Sequence, residues 1–178
     1  MSGDSAAMGT DGDLIDQYRI IHETKAYGRS SEAMCGLVMR EIDGLMPVSR
    51  ILDFGCGQSR LVDWLAAITG AEALRYDPAI PAYAALPEGT ADVIVCTDVL
   101  EHVPEDQLGA LFDCMKEVSG RVYFNVSCVE AVEVLPNGQN AHCTVRPHGW
   151  WVRRIKGAFG VARRARSLSP TAVTILTW

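Results

Sequence analysis

Three short runs of this sequence carry groups that can hold or activate a ligand. In Asp53-Phe54-Gly55-Cys56-Gly57-Gln58-Ser59, two glycines let the backbone turn tightly and approach a ligand with no Cβ in the way. The acid ahead of them, Asp53, would repel a pyrophosphate but suits a ligand that presents an ammonium group. Arg60 stands where a dinucleotide-binding G-x-G-x-x-G run needs its third glycine, so a dinucleotide is disfavoured. Farther on, Asp77 is followed by Pro78. In Thr97-Asp98-Val99-Leu100-Glu101-His102, two carboxylates sit beside an imidazole. The ordinary pKa of that imidazole suits proton transfer near neutrality.

These runs fall at the ends of predicted strands. Ile51–Phe54 is a short apolar strand entering the glycine turn, and the helix after it carries Leu61, Trp64, Leu65 and Ile68 on its inner stripe until Gly70. Residues 73–77 form a second strand and 91–96 a third, continuously apolar as buried parallel strands are. A helix starting at Pro104 carries Leu108, Leu111, Phe112, Met115 and Val118 inward, and residues 121–128 form a fourth strand. A long polar loop containing Asn137-Gly138 and His142 leads to a helix over 150–158. Residues 161–168 and 171–178 then pair as a closing hairpin. Two helices lead the chain, one from Asp13 with Leu14, Ile15 and Tyr18 on one side, and one capped by Ser31 and ended by Pro47. The fold class expected is α/β: an open Rossmann-like, mostly parallel sheet of about six strands. Ligands in such sheets bind beyond the carboxyl ends of the strands, where the three runs lie.

Composition sets limits on function. The chain has 178 residues and a net charge of −6, divided unevenly. Residues 1–150 hold ten basic and all twenty-two acidic residues, giving −12, whereas residues 151–178 hold six basic residues and no acid, giving +6. The acidic body argues against coating of nucleic acid or anionic membrane. The basic end either meets an anionic partner or pairs with the body's own acids. No apolar run is long enough to span a bilayer. The six cysteines stand singly, without C-x-x-C spacing, and read as reduced thiols of a cytoplasmic protein. Residues 1–12 are read as a flexible N-terminus and 13–178 as a single domain.

Taken in order, ILDFGCG, YDP and ADVIVCTDVLEHVPEDQL resemble the class I S-adenosylmethionine-dependent methyltransferases, strongly over about residues 49–128. The resemblance implies S-adenosylmethionine as cofactor, with Asp53, Gly55, Cys56, Gly57, Asp77, Pro78, Thr97 and Asp98 around it. Asp77 would accept from both ribose hydroxyls, which suits two carboxylate oxygens facing a cis-diol. Tyr27 and Gly28 would close over the methionine end. Methyl transfer chiefly needs an aligned acceptor and, for oxygen or nitrogen, removal of a proton. His102 with Glu101 is the candidate for that, and His142 a second base or acceptor contact. The alternative is that Glu101-His102 braces the sheet and the His142 loop is internally hydrogen-bonded. A small-molecule or sugar acceptor is expected, with nucleic acid, reached through the basic C-terminal segment, as the alternative. A non-catalytic cofactor-binding module is a further reading.

Two departures from the family stand out. Asp98, Glu101 and His102 match the acid-x-x-Glu-His run of metal-dependent small-RNA and ubiquinone-pathway methyltransferases, and His142 fits the downstream histidine of the RNA enzymes. That set marks a possible divalent-metal site, although Asp replaces the usual first Glu. Only 13 residues separate Pro78 from Asp92, where the family fits a helix and another strand. They reach at most ~45 Å extended, enough for roughly 17 Å down the sheet and ~10 Å across it. An extended tether is therefore expected, and adenine must be held by the segment 79–83 or around Cys96. The shortened middle and the NGQNAH…WW tail are similar to small methyltransferases carried by bacteriophages.

Overall fold

The computed structural model describes residues 12–25 and 29–178. The leading helices are α1 (Gly12–Thr24), α2 (Arg29–Ala33) and α3 (Cys35–Ile42). Four strands follow, β1 (Arg50–Phe54), β2 (Glu72–Tyr76), β3 (Val93–Thr97) and β4 (Val122–Ser127), with α4 (Leu61–Thr69) after β1 and α5 (Leu108–Val118) after β3. The chain ends with α6 (His148–Phe159), β5 (Arg163–Ala165) and β6 (Ala172–Leu176).

The six strands lie in the order β2-β1-β3-β4-β6-β5. The first four are parallel, while β6 runs antiparallel to both β4 and β5. Alternation along the strands divides the core. Leu52, Phe54, Ile94, Cys96, Phe124 and Val126 face α5 and α6, where Phe112, Met115, Trp151 and Ile155 are buried. Ile51, Val93, Val95 and Tyr123 face α3 and α4, against Val38, Ile42, Leu61, Val62 and Leu65. Several expected boundaries shift. Ser31 lies within α2 rather than capping the next helix; it is buried, and its Oγ accepts from Thr97 Oγ1 at 3.0 Å. Pro104 starts a turn, and α5 begins at Leu108. On α4 the buried stripe is Leu61, Val62 and Leu65, whereas Trp64 and Ile68 are 37% and 63% exposed. That helix packs against the sheet rim over only two turns, so its inner face is narrower than periodicity implies.

The short link between β2 and β3 is the extended tether expected, with one 3-10 turn at Pro81–Tyr83. Its return is pinned at the lower edge of the sheet. Arg50 donates to the carbonyls of Glu88 and Thr90, and the backbone N–H groups of Ser49 and Arg50 donate to Asp92 Oδ2 at 2.6 and 2.9 Å. A single side chain at the start of β1 thus closes the path that a helix and a strand would otherwise fill. Among the described residues, no helix is long and apolar enough to cross a membrane.

Candidate active site

The upper ends of β1, β2, β3 and β4 open into a cavity of about 820 Å³, within the size range of small-molecule and cofactor sites. At its cofactor side, the N–H groups of Gly55 and Cys56 both donate to the Tyr76 carbonyl, at 2.7 and 3.1 Å. This folds the end of β1 onto β2. Gly55 has φ +75, and a Cβ there would collide with Val99 Cγ2. Gly57 donates to Asp77 Oδ2 at 2.8 Å and Ala79 to Asp77 Oδ1 at 2.9 Å. Asp77 is thereby oriented by backbone, with one further lone pair on each oxygen to offer a diol. Gly55, Cys56, Gly57, Asp77, Pro78 and Ala79 all border the cavity.

Asp53 does not border it. It is 1% exposed, opposite Arg75 in the β1–β2 register and behind the turn. Burial lifts its carboxyl to about 7, opposed by Arg75, which is itself paired with Asp63. Direct contact between Asp53 and a ligand's ammonium is therefore corrected to a buried position outside the cavity wall, because alternation sends this side chain beneath α4. Cys96 is fully buried and outside the cavity, whereas Thr97 and Asp98 at the same strand end border it. Tyr27 and Gly28 lie outside the described residues.

Asp98 is the non-glycine residue with positive φ (+56) among those described. Such a conformation costs of order 1–3 kcal/mol and needs compensation around it. Here Asn125 Nδ2 donates to Asp98 Oδ1 at 2.9 Å, while Thr174 Oγ1 donates to Asn125 Oδ1 at 3.1 Å. The carboxylate is fixed from two neighbouring strands, facing the cavity.

On the acceptor side Glu101, His102 and His142 come together, with one ligand-capable atom of each within 4.8 Å of the others. The 3-10 turn Leu100–His102 presents the first two. The downstream loop is clipped shut by Asn140, which accepts from the N–H groups of Ala131 and His142, and so carries His142 to a ring-centroid distance of 4.8 Å from His102. The internally bonded loop and the acceptor contact are thus one structure. His102 Nδ1 lies 2.9 Å from the Ala141 carbonyl and 2.8 Å from the Tyr18 hydroxyl, which itself donates to Ala141 O. His142 Nδ1 lies 2.6 Å from the Val129 carbonyl. A carbonyl only accepts, so this network places a ring proton on Nδ1 of each histidine and leaves Nε2 as the nitrogen that can meet a ligand. Burial holds His102 down at about 4, so its ring is uncharged at pH 7 and a weaker base than a free imidazole. Glu101 is fully buried; Ser127 N–H donates to Oε1 at 2.8 Å, and Oε2 has no partner among the described residues. Burial and then Asp98 raise it to about 8.

An orphaned buried carboxylate oxygen beside two imidazole lone pairs fits a divalent cation by donor type. Asp98 does not join this group, since its carboxylate is committed to Asn125. The expected four-residue set is corrected to Glu101, His102 and His142.

The C-terminal basic residues stay away. Arg163 pairs with Glu41, Arg146 with Glu105, and Arg164 Nη2 lies 3.4 Å from His148 Nδ1. Among the described residues, no lysine or arginine borders the cavity, whereas Asp77, Asp98, Glu101, Glu130 and Glu133 do. The hairpin tip instead supplies Leu168, Ser169 and Thr171. The sequence reading missed Tyr18, Ser31 and Asn125 as site residues. An asparagine within the apolar run Val122-Tyr123-Phe124-Asn125-Val126 was the available signal, because a buried amide needs specific partners.

The fold and site define a methyltransferase of class I architecture. The family described as a methyltransferase domain matches residues 25–168, and the chain belongs to it. No curated protein matches it in sequence. Among solved structures, it is similar to DhpI in its complex with SAM and HEP (12% identity, 98% of this chain and 99% of that one, TM-score 0.62). It is also similar to the Burkholderia thailandensis 1,6-didemethyltoxoflavin-N1-methyltransferase with bound 1,6-didemethyltoxoflavin and S-adenosylhomocysteine (11%, 99% and 91%, 0.62). The methyltransferase domain of a bacterial Hen1 matches at 14% identity over 82% of this chain and 97% of that one, TM-score 0.60. At these identities the likeness is one of fold.

Proposed function

We propose that this chain transfers a methyl group from S-adenosylmethionine to an oxygen or nitrogen of a small-molecule acceptor. The observation that carries the reading is one cavity with two chemically distinct ends. A backbone-oriented diol acceptor, Asp77, sits at one end, and a neutral imidazole, His102, at the other. Gly55, Cys56 and Gly57 give the close backbone approach, Asp77 takes the ribose, Pro78 and Ala79 flank adenine, and Thr97 and Asp98 face the methionine end. Asp53 lies buried outside the cavity wall. Tyr27 and Gly28 belong to the same reading as a cover over the methionine end.

In the transfer the acceptor's lone pair forms the new bond to the methyl carbon as the carbon–sulfur bond breaks. The acceptor's proton passes to the Nε2 of His102, and S-adenosylhomocysteine leaves. His142 and Glu101 flank that proton acceptor. The donor carries its own leaving group, so the chain's part is alignment and proton removal. Alternatively, Glu101, His102 and His142 would hold a divalent cation, which when bound would take up the Nε2 lone pair of His102 and acidify an acceptor hydroxyl in place of that proton transfer. The absence of lysine and arginine from the cavity wall favours a small molecule over a nucleic acid, whose phosphates need cationic contacts.

Calorimetric titration with S-adenosylhomocysteine tests the cofactor half. One-to-one binding that falls by tenfold or more in Asp77→Ala supports it; absence of binding by the wild-type chain rejects it.

A further inference from the structure

Three separate segments lend apolar side chains to the cavity wall. Leu14 and Ile15 come from α1, Val132 from the loop after β4, and Leu168 from the tip of the β5–β6 hairpin, and all border the cavity. Val132 is fully exposed and Leu168 is 57% exposed, so neither serves the core. Single exposed apolar side chains are ordinary, but apolar side chains from three segments on the wall of one cavity are what a ligand surface provides. The charge pattern adds to this: Glu130 and Glu133 stand beside Val132, Glu133 is paired with Lys25, and no lysine or arginine borders the cavity itself among the described residues.

From this convergence we infer that the acceptor is a hydroxyl or amine on an uncharged apolar body, and that anionic acceptors are excluded. The inference rests on the methyl-transfer reading above. Inside, the His102–His142 pair receives the reacting polar group. Outside, the body of the molecule lies between Val132 and Leu168, where each buried methylene tightens binding about fourfold. A carboxylate or phosphate at the same position would face Glu130, with no lysine or arginine in the cavity wall among the described residues to receive it.

The test is calorimetric titration of protein saturated with S-adenosylhomocysteine, using phenol, 4-butylphenol and 4-(4-hydroxyphenyl)butanoate as probes. The expected result is that 4-butylphenol binds at least about tenfold more tightly than phenol, and that its carboxylate counterpart loses at least that factor. Val132→Ser combined with Leu168→Ser, both at exposed positions, should remove most of the gain from the butyl chain. Equal affinity for phenol and 4-butylphenol overturns the apolar-body inference. Tight binding of the carboxylate overturns the exclusion of anions, and failure of all three probes on protein that binds S-adenosylhomocysteine overturns the whole inference. If S-adenosylhomocysteine itself does not bind, the fault lies in the methyl-transfer reading.

Discussion

His102 and His142, far apart in sequence, stand edge to face with ring centroids 4.8 Å apart, and each turns its Nδ1 to a backbone carbonyl. Two imidazoles whose Nδ1 atoms face backbone carbonyls, with His102 uncharged at pH 7, stand together at one end of the cavity and make a place to put a proton. The Tyr18 hydroxyl of α1 joins the same carbonyl of Ala141, so the leading helix helps set the ring of His102.

His102→Ala should lower kcat by about a hundredfold or more, the usual scale of a positioned base. Affinity for S-adenosylhomocysteine should stay within threefold (a rough bound) because the cofactor is assigned to Gly55–Gly57, Asp77–Ala79 and Thr97–Asp98 and not to His102. Parallel turnover assays and cofactor titrations check this. A loss confined to cofactor affinity would assign His102 to binding instead.

Asn125 holds Asp98 in its left-handed backbone conformation and is itself held by Thr174. Asn125→Ala should raise the KM for S-adenosylmethionine about tenfold, the scale of one lost charge-assisted hydrogen bond. Thr174→Val should have a smaller effect in the same direction. Steady-state kinetics on both variants show whether that ranking holds.

Gly55→Ala should destabilise the fold by about 1–3 kcal/mol, through the positive φ and the collision with Val99. Val99→Ala in the same chain should recover only the steric part, because the backbone strain remains. Urea denaturation of the single and double variants separates the two contributions.

Asp53 is raised to about 7 by burial, against about 3.9 in an unfolded chain. Between those values the folded chain keeps a proton that the unfolded chain has lost. This group's contribution to stability is therefore fully present below about pH 4 and is lost as pH rises through about 7. Asp53→Asn, which is neutral at every pH, should flatten the decline in Tm between about pH 5 and 8. Thermal unfolding across that range, with and without the substitution, gives the slope directly.

Much of the fold was legible because buried parallel strands ending in glycine or acid are distinctive. β1 with its Gly55–Gly57 turn, β2 with Asp77, and β3 with Asp98 lie where alternation and turn chemistry put them. The short tether was legible as an arithmetic constraint, but its pin, Arg50, was not, since it holds the tether through backbone carbonyls, which any sequence offers. Local spacing also misled. Asp98-x-x-Glu101-His102 reads as one ligand set, yet the positive φ at Asp98 and its amide partner on β4 turn that carboxylate elsewhere. For the basic C-terminal run the sequence left open an anionic partner or pairing with the body's own acids; Arg163 pairs with Glu41, and the hairpin offers the cavity Leu168. Both outcomes depend on contacts between residues distant in sequence, which composition and periodicity do not carry.

The most direct test is transfer of a labelled methyl group from S-adenosylmethionine, measured on the wild-type chain against a panel of uncharged phenols, alcohols and amines with apolar bodies, with RNA as the comparison. Labelled product from a member of the small-molecule panel, matched by release of S-adenosylhomocysteine and lost in His102→Ala, is the result predicted. Cofactor binding with no labelled small molecule, or label entering RNA alone, would contradict it.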